Sequence, residues 1–434
     1  MGRLRQVATL EGHTDRAWSV AWSPAQPLLA SCSTDKSVRL YSFTPANSDD
    51  DEPRYRFSLQ STIPTSHSRT VRALEFSPTG ATLATASFDS TVGIWQRLSE
   101  AGLDDGEMGN LTSGEWEPAD PLEGHESECK SIAWSSDGRL LASCSRDKSV
   151  WVWEAVGPTE FECLAVLMEH SQDVKAVTWH PTDELLASAS YDDTIKLYAA
   201  DPYDDEWSCI ATLESHTATV WSIAFSPCGN YLASAGDDLV IKIWGRQNQQ
   251  SDKDMGELGE AKREEGGRMG PWSRGGVRIG AGERWKWTLV TEISNAHERT
   301  IYSIDWAETG AAKDKGGLGM IVSVGGDGNI NVFQLNEMGV AGDPLQHQLV
   351  ASQMDAHGVS DVNCASWCRL SPSKAAATLR SLEGADEPGS DDDGPQSTTF
   401  ENDRKWRGTR SMLATAGDDG VVRVWTVDDL DQTV

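Results

Sequence analysis

Between residues 129 and 167 the apolar positions fall into four short bursts: "CKSIAWSS", "RLLASCS", "SVWVWE" and "FECLAVL". Asp137-Gly138 and Arg146-Asp147 separate the first three, and Gly157-Pro158 precedes the fourth. Short alternating bursts broken by Asp, Gly and Pro predict β-strands a, b, c and d joined by tight turns. The same order of bursts recurs from one end of the chain to the other, so the fold class expected is all-β.

The polar positions repeat with the apolar ones. A His stands at 13, 67, 125, 170, 216, 297 and 357, and an Asp at 35, 89, 147, 192, 238, 327 and 419. Four residues before each Asp is a Ser or Thr, and six after it is Trp, Tyr or Phe. This is the WD-repeat pattern, and seven units predict a seven-bladed WD-repeat β-propeller. The chain ends on "VVRVWTVDDL", a strand c without a strand d, whereas "LRQVATLEGH" near the start resembles a strand d without its blade. The N-terminal strand is therefore expected to pair into the last blade and close the ring, removing free edges.

The repeated polar set has a structural task. Asp147 in the b–c turn can accept from His125. His125 can bond Ser143 on strand b, and Ser143 can accept the Trp153 indole N–H. His67, Thr85, Asp89 and Trp95 form the same tetrad in the second unit. Such chains satisfy buried polar groups and tie three strands together. Units one, four and six carry Tyr41, Tyr198 and Phe333 instead of Trp and lack the indole donor. His and Asp repeated in every unit argue against a catalytic triad or metal centre, which needs one constellation unlike its neighbours. The expectation is no enzyme activity, no cofactor and no metal.

Composition narrows the partners. The formal net charge of −30 disfavours a general nucleic-acid or anionic-membrane binder, because phosphates are repelled. No apolar run approaches a membrane span, and "MGRLRQVATLEGH" lacks the apolar core of a signal peptide. Gly2 invites N-myristoylation, but Gln6 occupies the position where that motif needs Ser or Thr. The eight Cys show no CxxC pair; Cys364 and Cys368, the closest, are spaced like residues on one face of a strand, so reduced thiols are expected. Residues 1–434 read as a single propeller with four excursions, 98–119, 246–284, 308–318 and 369–410, all on the a–b and c–d side, the bottom. Their Gly-rich, charged composition predicts disorder. "SRGGVRIGAGER" within them reads as solvated loop rather than RNA contact.

The opposite face, the top, carries the d–a and b–c connections and no long insertion. Three positions per blade point out of it: the third and fifth residues after the His and the residue before the Asp. They place Arg72, Lys130, Arg146 and Lys175 together on blades two to four, with Phe88 and Tyr191 beside them. Trp18, Trp221 and Tyr302 continue an aromatic arc. Arg with aromatics is the composition of interface anchors, and a cationic patch on an acidic molecule steers acidic segments to one place. The plainer alternative is that these cations offset Glu128 and Asp173 on the same blades.

"GHESECKSIAWSSDGRLLASCSRDKSVWVWE", "EHSQDVKAVTWHPTDELLASASYDDTIKLY" and "DPYDDEWSCIATLESHTATVWS" closely resemble the WD-repeat family of cytosolic iron–sulfur protein assembly. The resemblance spans all seven blades and is strongest in blades two to five. It implies a non-catalytic adaptor of the targeting machinery that delivers Fe–S clusters to cytosolic and nuclear apoproteins. The partners implied are a small cluster-transfer protein, a HEAT-repeat scaffold, an iron-only-hydrogenase-like protein and the apoprotein clients. The compartments implied are cytoplasm and nucleus. Arg146 matches the arginine of the family's "SRDKSVW" segment, and the resemblance implies a partner-docking role for it. The alternative class is another WD-repeat adaptor, such as a ubiquitin-ligase substrate receptor or a histone-tail reader.

Overall fold

The computed structural model describes residues 2–46, 54–98, 115–201, 204–248, 285–309, 316–337, 345–371, 409 and 411–428. These form seven four-stranded antiparallel blades, each with its strands in the order a-b-c-d. In blade three they are Cys129–Trp134, Leu140–Ser145, Val150–Ala155 and Phe161–Leu167. The a strands of neighbouring blades pack side by side around the centre.

Burial follows the apolar pattern. Every residue of strand b in blade three, "LLASCS", is buried, because each blade is covered by a neighbour on both faces. Strand d of that blade, "FECLAVL", is open along most of its length at the rim. The core divides into clusters that each draw side chains from adjoining blades, as where Ala84, Ile94, Ile132 and Trp153 meet between blades two and three.

Closure occurs as expected. Gly2–Leu10 runs antiparallel to Val422–Val427, from Leu4 opposite Val427 to Leu10 opposite Val422, and supplies strand d of blade seven. Gly2 and Arg3 also run parallel to Ala351 and Ser352 at the outer strand of blade six, Gln346–Gln353. Blades six and seven thereby share one eight-stranded sheet.

The excursions are shorter than the sequence boundaries. Trp116–Pro118, assigned above to the first excursion, is strand d of blade two, pairing with Trp95–Arg97. Arg246–Asn248 extends strand c of blade five to pair with Trp285–Trp287, and Gly317 already belongs to strand b of blade six. The rest of the four excursions, and with it the expectation of disorder, lies largely outside the described residues. Every internal segment outside them lies between strands a and b or between strands c and d of a blade. The top connections are all described.

The b–c turns share one backbone conformation. The residue after the repeated Asp has a left-handed φ in all seven blades: Lys36, Ser90, Lys148, Asp193, Leu239, Gly328 and Gly420, between 65° and 74°. Each Asp offers a carboxylate oxygen to the backbone N–H two residues on, for example Ser149 N to Asp147 Oδ1 at 2.9 Å. That Asx-type bond holds the turn even where a side chain disfavours it.

Candidate functional site: the top face of the ring

The tetrads set the top face in place. His125 Nδ1 lies 3.0 Å from Asp147 Oδ2, His125 Nε2 lies 2.8 Å from Ser143 Oγ, and Trp153 Nε1 donates to that Ser at 3.0 Å. In blade two, His67 lies 3.1 Å from Asp89 and 2.9 Å from Thr85, and Trp95 donates to Thr85 at 3.2 Å. The His–Asp and His–hydroxyl contacts occur in all seven blades. The indole link occurs in blades two, three, five and seven. Burial alone would raise the Asp147 carboxyl, but the hydrogen bonds from His125 and Ser149 hold it well below the usual carboxylate range.

A second set of seven bonds fixes the variable slot before each Asp. Its backbone N–H donates to the carbonyl of the third-position residue after the His. Arg146 N reaches Glu128 O at 2.9 Å, Phe88 N reaches Thr70 O at 2.9 Å and Tyr191 N reaches Asp173 O at 2.8 Å, and the other four blades repeat the bond. The blades therefore share a backbone at this slot and vary only its side chain. That separation lets a repeat hold its fold and still present a particular surface.

The expected residues are neighbours on this face, but they are not equally open. Arg146 is 58% exposed, with Nη1 3.6 Å from Glu128 Oε2 and Nε 4.0 Å from Asp173 Oδ2. These loose contacts in water contribute about 0–1 kcal/mol each. Lys130 is only 15% exposed: its Nζ bonds Glu128 at 2.6 Å and sits 4.1 Å from the Phe88 ring centre. Lys175 is 9% exposed, 3.3 Å from Asp173 and poised between Tyr191 and Trp221, 5.2 and 4.8 Å away. Arg72 lies over Trp18 at 4.8 Å, and Trp221 meets Tyr302 edge-on at 5.6 Å. The fifth-position side chains thus lean from blade to blade like a pinwheel, each cation over an aromatic face.

The alternative in which cations offset Glu128 and Asp173 accounts for Lys130 and Lys175. Burial lowers the Lys130 pKa, and the bond to Glu128 works against that shift. Trp18 and Trp221 are also tied by their indole N–H groups, to Thr34 at 2.7 Å and to Asp237 at 2.9 Å. Arg146 and the half-exposed Tyr191 are left as the most open of the expected anchors.

Two exposed arginines escape the three-position rule. Arg69 bonds Phe88 O at 2.8 Å and Glu128 Oε1 at 3.0 Å, and Arg299 bonds Gly326 O at 2.6 Å. Each is the second residue after its His and clamps the carbonyl of the slot before the Asp. A shared Arg at that offset in two units was the available signal. Arg69 also lines a shallow cleft of about 270 Å³ between blades two and three, with Phe88, Asp89 and Glu128 on its walls. Charge divides across the face: cations dominate blades two to four, while Asp237, Asp361 and Asp418 lie on blades five to seven.

The thiols are placed for packing. All eight Cys are free, and Cys32, Cys129, Cys144 and Cys368 are buried. Burial pushes the Cys144 and Cys368 thiols up to about 12, which keeps them protonated and makes them poor metal ligands. Cys364 lies in strand a of blade seven, whereas Cys368 falls just beyond the end of that strand at Trp367.

The model of the WD domain, G-beta repeat, matches residues 4–42, 57–96, 116–154, 161–199, 207–245 and 396–426. A protein of Mycosarcoma maydis is 46% identical over 98% of this chain and 93% of its own length. One from Cryptococcus neoformans is 36% identical over 98% of this chain and 99% of its own, and one from Malassezia globosa 43% over 87% and 95%. All three are named "Probable cytosolic iron-sulfur protein assembly protein 1". Identity at this level along both chains, on a propeller whose every blade carries the His–Asp pair, shows that the chain belongs to the WD-repeat family of cytosolic iron–sulfur protein assembly proteins.

Proposed function

We propose that the top face around Arg146 is where this protein captures the other proteins of the cytosolic iron–sulfur assembly machinery. The protein is a WD-repeat adaptor of that process and not an enzyme. Its compartment is the cytoplasm; we extend it to the nucleus, where some client apoproteins reside. The Fe–S cluster is cargo, carried by others. The small cluster-transfer protein, the HEAT-repeat scaffold, the iron-only-hydrogenase-like protein and the apoprotein clients are the partners proposed, with no membrane and no direct nucleic-acid contact.

One observation carries the reading. Arg146 has its backbone pinned by Glu128 O, while its guanidinium stands 58% exposed with only loose contacts at 3.6 and 4.0 Å. A guanidinium held in position but not consumed can take a partner carboxylate bidentately. Tyr191, Phe88 and Trp18 supply apolar area around it, Arg72, Lys130 and Lys175 supply charge, and Trp221 and Tyr302 complete the rim. The test is Arg146→Glu in an affinity capture followed by mass spectrometry. We expect assembly-machinery proteins to fall at least about tenfold while circular dichroism and melting stay unchanged. Native recovery of every partner by a folded variant would refute the docking role.

A further inference from the structure

The cation that the pinwheel leaves without a counter-charge is Arg72. It is the second residue of strand a of blade two, Val71–Phe76, the inner strand that faces the centre of the ring. Lys130 has Glu128, Lys175 has Asp173, and Arg146 lies between those two carboxylates. Among the described residues, the Arg72 guanidinium has no hydrogen bond and no ion pair; it lies over the Trp18 face, 4.8 Å away. Its side chain is half-buried. Burial lowers its pKa, and no carboxylate opposes that shift. Among the described residues no acceptor meets its five N–H donors, which leaves them open to an incoming one.

The surroundings favour an anion over a cation or a neutral group. Lys130 and Lys175 both stand close enough to the same mouth that Arg72 and Lys175 oppose the charge on Lys130. Their carboxylate partners hold the third position after each His, at the outer top loops rather than on the inner strand. Three residues further along the Arg72 strand, Glu75 accepts Trp134 N at 2.9 Å, and Asp305 binds Arg369. Further in, Arg369 matches the carboxylates of Asp305 and Glu75, so the excess positive charge of this inner strand sits at the top mouth, at the level of Arg72. A doubly charged phosphate there faces Glu128 and Asp173 as well; a singly charged carboxylate matches the local balance better. The flat guanidinium backed by an indole also suits a planar acceptor.

We propose that the top mouth of the central channel is a carboxylate receptor, in which Arg72 takes an acidic side chain from a docked protein bidentately while Lys130 and Lys175 flank it. The proposal rests on the top face being the docking face, and it names what that face reads. Arg146 steers the acidic segment from outside, and Arg72 receives one carboxylate inside.

The probe is a pair of capped peptides, six Glu and six Gln, titrated into the full chain at low salt by calorimetry. The Glu peptide should bind and the Gln peptide should not. Arg72→Gln should weaken the Glu peptide at least about tenfold, and Arg72→Lys, which keeps the charge but loses the fork, should weaken it less. Should Arg72→Gln fail to fold, Arg72→Lys alone must still bind more weakly than the native chain. Equal binding by native protein and variants overturns the proposal. So does inorganic phosphate that binds Arg72 as tightly as the Glu peptide and displaces it, which marks a free-anion site. If Arg72→Gln leaves both peptide binding and partner capture intact while Arg146→Glu abolishes capture, the receptor is refuted and the docking face stands. If Arg146→Glu changes nothing, the docking face itself fails.

Discussion

Replacing Asp147 by Asn should cost far more than the loss of one charge on a surface turn. The carboxylate is 10% exposed and accepts four hydrogen bonds. Oδ2 takes His125 Nδ1 at 3.0 Å and Glu126 N at 2.8 Å; Oδ1 takes Ser149 N at 2.9 Å and Ser149 Oγ at 2.5 Å. An amide has one oxygen, so in either orientation one pair of donors meets an NH2 group. Two bonds to a charged acceptor at roughly 1.5 kcal/mol each give a loss of about 3 kcal/mol. Trp153→Phe removes one neutral bond, the indole to Ser143, for about 1 kcal/mol, and the second ring of a buried side chain, for about 1 kcal/mol more. It also makes blade three resemble blade six, where Phe333 occupies the same place. Urea denaturation followed by circular dichroism compares the two. If Asp147→Asn costs no more than Trp153→Phe, the tetrad does not work as a relay ending on the carboxylate, and the reasoning fails.

Acid should unfold the ring through the same carboxylates. Burial would raise Asp35, yet bonds from Ser37, His13 and Thr14 bring it from 3.8 to about 2, and bonds from His357 and Arg423 bring Asp419 to about 2 in the same way. A depressed folded pKa contributes stability that is fully present above 3.8 and lost as pH falls through about 2. Urea midpoints measured from pH 5 to 2 should fall through that window, and Asp35→Asn should flatten the slope; an unchanged slope contradicts the assignment. At the left-handed turn position, Leu239→Gly should stay within about 1 kcal/mol of the native chain, since relieved strain offsets added chain freedom. Gly328→Val should lose about 2 kcal/mol or more, because its Cβ would meet the Gly358 and Ser360 carbonyls at 3.3 Å with φ at 74°. Thermal melts of the pair decide it, and equal melting temperatures would count against a strained turn.

The repeat made the backbone legible. His and Asp in phase mark where each blade begins and turns, so the seven blades and the closing strand could be placed from residue types alone. Strand d of blade two was hidden, because "WEP" is only three residues long and follows an acidic, Gly-containing stretch with no apolar alternation. Side-chain partners were less legible. Sequence put Lys130, Lys175 and Arg146 on one face but could not say that the lysines reach Glu128 and Asp173 while the arginine hangs between them. That choice depends on side-chain length across a blade boundary. Arg69 and Arg299 were missed because they act through a carbonyl on the neighbouring turn, a contact that repeat phase alone does not display.

The seam between Gly2–Leu10 and Val422–Val427 also sets a timetable. Leu4 must find Val427, more than four hundred residues later in the chain. At roughly 5–20 residues per second, synthesis separates those partners by about 20–80 s. Throughout that interval strand d of blade seven exists without its blade, and the ring is an open arc. Entropy is a minor obstacle, because the cost of closing a loop grows only with the logarithm of its length. The exposed edge is the greater hazard. Arg3, Arg5 and Gln6 in that strand place charge and polarity where an unpaired edge would otherwise invite another chain. The strand that seals the finished ring is thus also the one that must stay soluble longest before it does so.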